Sequence, residues 1–334
     1  MKILLAAVLL SAVMTVCGES YGFPNDTALY QFKPAGNSLS AHSPEIAAFR
    51  GYFRLKKELP AGVYLARLKY RTPGVEKVQM DCFVFNEAQN PKSAGQMRFR
   101  ASSNWEEMAG IIRMTRPGTP RFSFACNKTR IIPAEFYKQK GSLEIRDLEI
   151  TGLKSDPLIA NGDFKYGISM PAGWMPSPGG LVIPVRVPGD NGSSVMRVEN
   201  RTDKVQHVYS SSFPLEQKRY RVSFEAKAQG ENSTLTLRIV DWNWKWAGGK
   251  ISRTLGPDWK KYSAEFDVPK AGSAFADFWC GPGTGEIRNF RIEQAVGGKK
   301  TAAAPVSRYP WIASGKSTLI HNGTTGSPLR RGSR

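Results

Sequence analysis

The most constraining feature of this sequence is an internal repeat, in which segments of alternating apolar and polar residues recur in the same order in both halves. Residues 104–114 and 121–127 of the first half correspond to residues 258–268 and 276–282 of the second. Alternation with a period of two places apolar side chains on one face of a strand and polar side chains on the other. Long helical periodicity is absent beyond the first residues. The sequence therefore predicts an all-β chain with two tandem antiparallel β-sandwich domains.

Individual positions of the repeat are in register. Three residue pairs lie 154 positions apart: Trp105 and Trp259, Phe124 and Phe278, and Cys126 and Cys280. In the closing segments, Ile145 matches Ile287 at a separation of 142. The shorter separation predicts an insertion in the first domain, within residues 128–141.

The first residues have the pattern of a signal peptide. Lys2 precedes an apolar run over residues 3–16, which is too short to span a membrane. Small residues near Gly18 predict cleavage after that position, so we expect residues 1–18 to be removed. The mature protein would then be secreted, periplasmic or on the cell surface, with no transmembrane segment.

Composition shifts suggest where the domains end. We predict one sandwich over residues 22–154, a second over residues 155–296, and a disordered or linker-like basic tail over residues 297–334. The formal net charge is +19, from 47 basic and 28 acidic residues. Such a balance favours acidic glycans or an anionic cell surface as partners of an exported protein.

A recognisable segment opens the second domain. Residues 158–174, LIANGDFKYGISMPAGW, contain Asn-Gly-Asp-Phe and then Gly-Trp. This opening, the Tyr-containing strand at 219–228, the Trp-led strand at 259–268 and the closing GEIRNFRIE resemble carbohydrate-binding modules of families four, nine and twenty-two. The resemblance covers residues 158–294 and, more faintly, the first domain, which lacks the opening and reads as a diverged copy.

The resemblance implies a jelly-roll, galactose-binding-like sandwich that binds glycan in a groove on one sheet. Such modules are often attached to secreted glycoside hydrolases, and they commonly carry a structural calcium ion near the ends of the module. A final-strand Asp that often contributes to that site is Asn289 here. Asp163 and Glu286 remain as candidate calcium ligands, and we predict no other cofactor.

The most distinctive local motif is the run from Asp241 to Trp246, DWNWKW. In an extended strand Trp242, Trp244 and Trp246 would share one face, opposite to the predicted core residues at 235, 237 and 239. An exposed row of indoles suits the C–H faces of successive sugars, and Asp241 and Asn243 could bind the sugar hydroxyls. Alternatively, a bulge turns one or two of these indoles into the core.

Other aromatic residues are weaker candidates. Trp279 follows Phe278 in an alternating strand, so one of the two faces outward, and Trp279 is the second-choice ligand aromatic. Tyr209 and Arg238 rank below it.

Three cysteines follow the signal segment. Cys82 and Cys126 could form a disulfide in an oxidising compartment, or all three, with Cys280, could be buried free thiols.

Catalytic constellations are not evident. The three histidines are scattered over both domains and the tail, and no G-x-S-x-G motif occurs. We therefore predict a non-catalytic protein that binds polysaccharide or oligosaccharide, not nucleic acid, as the ancillary part of a glycan-degrading system. It could also be the N-terminal part of a longer glycoside hydrolase. Two alternatives remain: a structural or adhesive cell-surface protein that binds anionic polymer through basic patches, and a polysaccharide-active enzyme on a sandwich scaffold.

Overall fold

A computed structural model describes residues 19–21, 27–90, 92–129, 132–153, 158–176, 182–229, 233–241 and 245–295. The predicted signal peptide and basic tail lie outside these residues. None of the helices in the described ranges is long and apolar enough to cross a membrane. Within these residues, three short 3-10 helices accompany the strands, at Ile46–Ala48, Ala134–Lys138 and Asp190–Gly192. The second lies within the insertion that the repeat predicted.

The first half of the chain, where described, forms eleven strands. They are β1 (Glu19–Tyr21), β2 (Thr27–Tyr30), β3 (Lys33–Ala35), β4 (Ser38–Ser43), β5 (Arg50–Leu55), β6 (Gly62–Arg71), β7 (Gln79–Phe85), β8 (Ser93–Arg100), β9 (Glu106–Met114), β10 (Arg121–Asn127) and β11 (Gly141–Gly152). Sheet 1 has the order β3-β4-β11-β6-β9, with β1 also paired to β11, and sheet 2 has the order β2-β5-β10-β7-β8.

The second half repeats this plan in another eleven strands within the described ranges. They are β12 (Trp174–Pro176), β13 (Pro184–Pro188), β14 (Ser194–Asn200), β15 (Gln206–Ser210), β16 (Phe213–Leu215), β17 (Arg219–Gln229), β18 (Thr234–Asp241), β19 (Trp246–Thr254), β20 (Lys260–Asp267), β21 (Gly272–Cys280) and β22 (Gly283–Gln294). Sheet 3 has the order β12-β15-β21-β18-β19, with β16 also paired to β21, and sheet 4 has the order β13-β14-β22-β17-β20.

Each pair of sheets encloses an aromatic core, which explains the alternation seen in the sequence. Between sheets 1 and 2, Phe53 stacks on Phe122 with ring centroids 4.8 Å apart. Between sheets 3 and 4, the buried Trp174 contacts Phe278 and Phe290. The paired strands are antiparallel. The prediction of an all-β chain with two antiparallel sandwiches is confirmed.

A bulge recurs at the same place in both closing strands. The register shifts in β11 between Arg146 and Glu149, and a corresponding irregularity occurs where β17 pairs with β22. Asp147 has φ 54° and Asn289 has φ 53°. Asn and Asp tolerate this left-handed conformation better than most residues, because their short polar side chains bond locally. Asn289 donates to Glu225, so the geometry of the bulge accounts for an Asn at this position.

The two sandwiches contact each other through a buried arginine. Arg98, on β8 of the first sandwich, is only 4% exposed. Its Nε and Nη2 donate to the carboxylate of Asp81 at 2.7 and 3.2 Å, and its Nη1 donates to the carbonyl of Pro176 in the second sandwich at 2.8 Å. Ile111 of the first sandwich also packs in a small apolar cluster with Ala172 of the second. The Arg98 bond joins β8 to β12, and the Ile111 contact joins β9 to the segment that precedes β12.

Candidate carbohydrate-binding face

The outer face of sheet 3 carries the described part of the candidate site. On β21, Ala276, Phe278 and Cys280 point into the core, so Asp277 and Trp279 point the other way. β15 lies on one side of β21 and places His207 directly opposite Trp279. β18 lies on the other side and places Arg238 directly opposite Asp277. Cross-strand pairing thus brings these four side chains together on one face.

Asp277 is the centre of this group. Its side chain is fully buried, yet it accepts hydrogen bonds from His207 Nδ1 at 2.9 Å, from an Nη of Arg238 and from the indole Nε1 of Trp279. Burial alone would raise the pKa of the Asp277 carboxyl, but the hydrogen bonds and charges of His207 and Arg238 outweigh it, and the pKa is lowered. The carboxylate therefore stays ionised and holds its three partners in fixed orientations.

Trp279 lies between its two basic neighbours. The imidazole of His207 stacks on the indole with centroids 5.0 Å apart and 27° between the planes. The guanidinium carbon of Arg238 lies 4.4 Å from the indole centroid. The side chains of His207 and Arg238 remain 21% and 22% exposed. The result is a rigid, partly exposed row of an imidazole, an indole and a guanidinium, in which both faces of the indole are covered and the ring edges and hydrogen-bond donors are left for a sugar.

The neighbouring part of the same face is buried. Met175, Tyr209, Val240 and Phe275 form a separate apolar cluster there. Burial raises the pKa of the Tyr209 hydroxyl, and the guanidinium of Arg98, from the first sandwich, lies 5.9 Å from its ring centroid. The first sandwich therefore borders this end of the face, and the row at Trp279 lies on the more accessible part.

The structure corrects one premise about the tryptophan run. β18 ends at Asp241, and Val240 pairs with Trp246 at the start of β19. Two hydrogen bonds join Asp241 and Lys245: the Asp241 amide donates to the Lys245 carbonyl, and the Lys245 amide donates to Asp241 Oδ1, both at 2.8 Å. The chain therefore reverses between Asp241 and Trp246, and the prediction of one continuous strand through Trp246 is wrong.

The roles assigned to this run stay predictions. Trp242, Asn243 and Trp244 lie outside the described residues, and of Trp246 only the backbone is described. Asp241 is half-buried, and its carboxylate accepts a hydrogen bond from the Lys245 amide, which stabilises the chain reversal. Trp279 faces outward as the alternation allowed, and Arg238 joins it. Sequence reasoning missed His207 and Asp277, although the outward parity of Asp277 beside Trp279 was a readable signal.

Trp105 and Trp259, the matched tryptophans of the repeat, lie elsewhere. Each immediately precedes a strand, β9 or β20, and two cationic side chains lie against each indole ring. Arg71 and Arg146 lie 4.8 and 4.2 Å from the Trp105 centroid. Lys227 and Arg288 lie 5.0 and 4.1 Å from the Trp259 centroid. The same arrangement in both sandwiches indicates a shared structural role on sheets 1 and 4.

The proposed calcium ligands do not form a recognisable cation site. Glu286 is 5% exposed, and its carboxylate accepts two hydrogen bonds from Arg197 and lies 3.3 Å from Lys227. Two cations already neutralise it, which does not fit a calcium ligand. Asp163 is exposed. Among the described residues no cluster of three or more acidic, His or Cys side chains could hold a metal ion. Calcium binding stays a prediction without support from this geometry.

The three cysteines are buried and free. Burial raises the pKa of all three thiols, to about 11 for Cys126 and about 12 for Cys280. The structure therefore has the free-thiol alternative rather than the Cys82–Cys126 disulfide. The strand pairing also sets the repeat register here: Phe124 pairs with Cys82 and Phe278 pairs with Leu237. Leu237 is therefore the counterpart of Cys82 in the second sandwich.

Comparison with known families confirms the resemblance for the second sandwich. Residues 156–276 match the family model described as a carbohydrate binding domain. This match covers most of β12 to β21 and includes His207, Arg238 and the tryptophan run. Comparison with curated proteins finds no match.

Several solved carbohydrate-binding structures are similar to the chain. The tandem domain CBM22-1–CBM22-2 of Paenibacillus barcinonensis Xyn10C aligns over 85% of this chain and 100% of that one, with 12% identity and a TM-score of 0.31. TmCBM61 in complex with β-1,4-galactotriose aligns over 42% and 100%, with 15% identity and a TM-score of 0.33. The CBM22-1–GH10 modules of Clostridium thermocellum xylanase 10B, complexed with xylohexaose, align over 44% and 29%, with 20% identity and a TM-score of 0.31.

Proposed function

We propose that this chain is an exported, non-catalytic carbohydrate-binding protein, whose second sandwich binds a polysaccharide on the outer face of sheet 3. The match of residues 156–276 to a carbohydrate binding domain supports the activity. The row of His207, Trp279 and Arg238 around the ionised Asp277 supports the location. The protein would act as the ancillary part of a glycan-degrading system and bring that system to its substrate.

The physical reason is the combination of ring surface with immobilised donors. A sugar has C–H patches that lie against aromatic rings and hydroxyls that need hydrogen-bond partners. Asp277 holds the Trp279 indole, the His207 imidazole and the Arg238 guanidinium before any ligand arrives, so little side-chain entropy is lost on binding. Trp242 and Trp244, which follow β18 in the sequence, are proposed as further sugar contacts.

Retention of the full chain in native gels that contain a neutral polysaccharide, such as xylan, galactan or β-glucan, tests the proposal. We expect Trp279→Ala to weaken retention on the recognised glycan by about tenfold, which corresponds to about 1.4 kcal/mol. The double change Trp242→Ala with Trp244→Ala should weaken it further.

Trp105→Ala is the matched control. It removes a partly exposed tryptophan that also carries a guanidinium, but on sheet 1 of the other sandwich. Its retention should equal that of the wild type, and circular dichroism should show that all variants are folded. If no polysaccharide in a broad panel retains the wild type, or if Trp105→Ala has the same effect as Trp279→Ala, the proposed site is refuted.

A further inference from the structure

The outer face of sheet 2, in the first sandwich, carries an aromatic and basic surface of its own. Tyr52 on β5 and Phe83 on β7 both lie opposite Ser123 on the intervening strand β10. Phe85 lies two residues further along β7, on the same face, and its ring stacks near that of Phe83 with centroids 6.2 Å apart. All three rings are partly exposed. The small side chain of Ser123 lies between the rings of Tyr52 and Phe83 along the sheet.

An arginine lies between two of these rings. Arg121 lies opposite Phe85 in the strand register. Its guanidinium carbon lies 4.9 Å from the Phe85 centroid and 5.2 Å from the Tyr52 centroid. Its Nη2 donates to the Glu87 carboxylate at 3.0 Å, and 26% of its side chain remains exposed. The guanidinium is therefore fixed in orientation between two rings and still reaches solvent.

The surrounding charge is positive. Arg54 lies opposite Arg121 on β5, and Lys92 forms an ion pair with Glu87 at 2.7 Å. Side-chain hydrogen bonding to Lys92, with the charges of Arg121 and Arg54, lowers the pKa of the Glu87 carboxyl despite some burial. Three cations thus face one carboxylate. Residues 22–154 as a whole contain 21 basic and 12 acidic residues, whereas residues 155–296 contain 18 and 15.

The two outer faces differ at corresponding positions. Ser123 occupies the place in β10 that the buried Asp277 occupies in β21, because the strands match at a separation of 154. The second sandwich therefore neutralises its face from within. The first sandwich has a serine in place of that carboxylate, so the arginines give the outer face of sheet 2 a net positive charge. An anionic ligand would complement this charge.

We propose that the face formed by Tyr52, Arg54, Phe83, Phe85 and Arg121 is a second glycan-binding site, selective for acidic polysaccharide. The rings supply contact area for the C–H faces of the sugar, and the two arginines bind its anionic groups, carboxylate or sulfate. A glycan is favoured over a nucleic acid because the repeat relates this face to a sheet whose sandwich matches a carbohydrate binding domain. The chain would then contact two kinds of glycan at once.

The experiment measures binding of the full chain to polygalacturonate, dextran sulfate, a neutral galactan and single-stranded poly(dT), at about 0.15 M salt to screen non-specific attraction. We expect binding to at least one acidic glycan. Arg121→Gln should weaken it by about tenfold or more, since a charge-assisted hydrogen bond and its ring contacts are lost. Phe85→Ala should weaken it similarly. Binding to only one acidic glycan identifies the anion as carboxylate or sulfate.

Arg71→Gln is the matched control, because Arg71 also stacks on an aromatic ring, Trp105, and pairs with a glutamate, Glu144, on the opposite sheet of the same sandwich. It should bind acidic glycan like the wild type. The proposal is overturned if neither acidic glycan binds, if Arg71→Gln and Arg121→Gln have equal effects, or if poly(dT) binds more tightly than both glycans. Neutral-glycan retention is measured in parallel, so loss of the sheet 3 activity would be seen separately.

Discussion

Replacing Arg98 by methionine should destabilise the protein more than any single surface change. Arg98 and Asp81 form a bidentate ion pair in which the side chains are only 4% and 9% exposed. Methionine keeps much of the apolar stem of Arg98 but removes its charge. Asp81 then keeps Asn127, whose amide donates at 2.9 Å, and loses its only cationic partner described at this position. The bond to the Pro176 carbonyl is lost as well.

The expected loss follows from the geometry. Opposite charges about 4 Å apart attract by about 4 kcal/mol at an effective dielectric constant of about 20. Removing one member of a buried pair typically costs about 3–5 kcal/mol, because the other charge remains buried without compensation. We therefore expect Arg98→Met to lower the free energy of unfolding by about 3–5 kcal/mol.

Urea unfolding followed by tryptophan fluorescence measures this loss. With a slope of about 2 kcal/mol/M, the midpoint should fall by roughly 2 M. Lys69→Met is the control, since Lys69 and Asp147 also pair at 3.0 Å but are 42% and 48% exposed. An exposed pair contributes only about 0–1 kcal/mol. The double change Arg98→Met with Asp81→Leu should recover most of the loss, because no unpaired charge remains.

A loss below about 1 kcal/mol for Arg98→Met would refute this reasoning, since it would mean that water reaches Asp81 and screens it as at the surface. A double variant no more stable than Arg98→Met would also contradict it. In that case the contacts of Arg98 with the second sandwich, rather than the charge of Asp81, would dominate the cost.

Two further predictions concern titrating groups. The lowered pKa of Asp277 means that its ionised form stabilises the folded state above the ordinary carboxyl pKa of about 3.9. The stability difference between wild type and Asp277→Asn should therefore shrink as pH falls below about 4; a difference unchanged between pH about 5 and pH about 2 would contradict it. The raised pKa values of Cys82, Cys126 and Cys280 predict that a thiol reagent at pH about 8 modifies none of them in the folded protein and all three in urea. Fast modification without denaturant would show that one thiol is accessible.

The alternation of apolar and polar residues along each strand explains how much of the fold could be predicted from the sequence. A period of two is a property of each strand by itself, so neighbouring residues alone predicted that Phe278 and Trp279 lie on opposite faces of one strand, and the structure places Phe278 in the core. The repeat added the equivalence of the two sandwiches, because matched positions such as Trp105 and Trp259 carry the same cation contacts.

At the tryptophan run, residues 241–246, the same alternation suggested an extended strand that the structure does not have. A tryptophan at every second position has the pattern of a strand, yet Val240 pairs with Trp246 and the chain reverses there. The reversal depends on the pairing of β18 with β19, which shifts register twice near this end. Bulges and reversals depend on a partner strand, so an isolated pattern does not reveal them.

Sequence alone determined the fold class, the repeat and the parity of most strand residues, because these depend on neighbours along the chain. Tertiary structure decided which side chains meet: His207 and Arg238 converge on Asp277 from two different strands, Arg121 enters between Tyr52 and Phe85, and Arg98 joins the sandwiches. Each of these contacts joins residues that strand order brings together from distant positions. The order of strands in a sheet is a non-local outcome of packing, and it places the candidate binding residues.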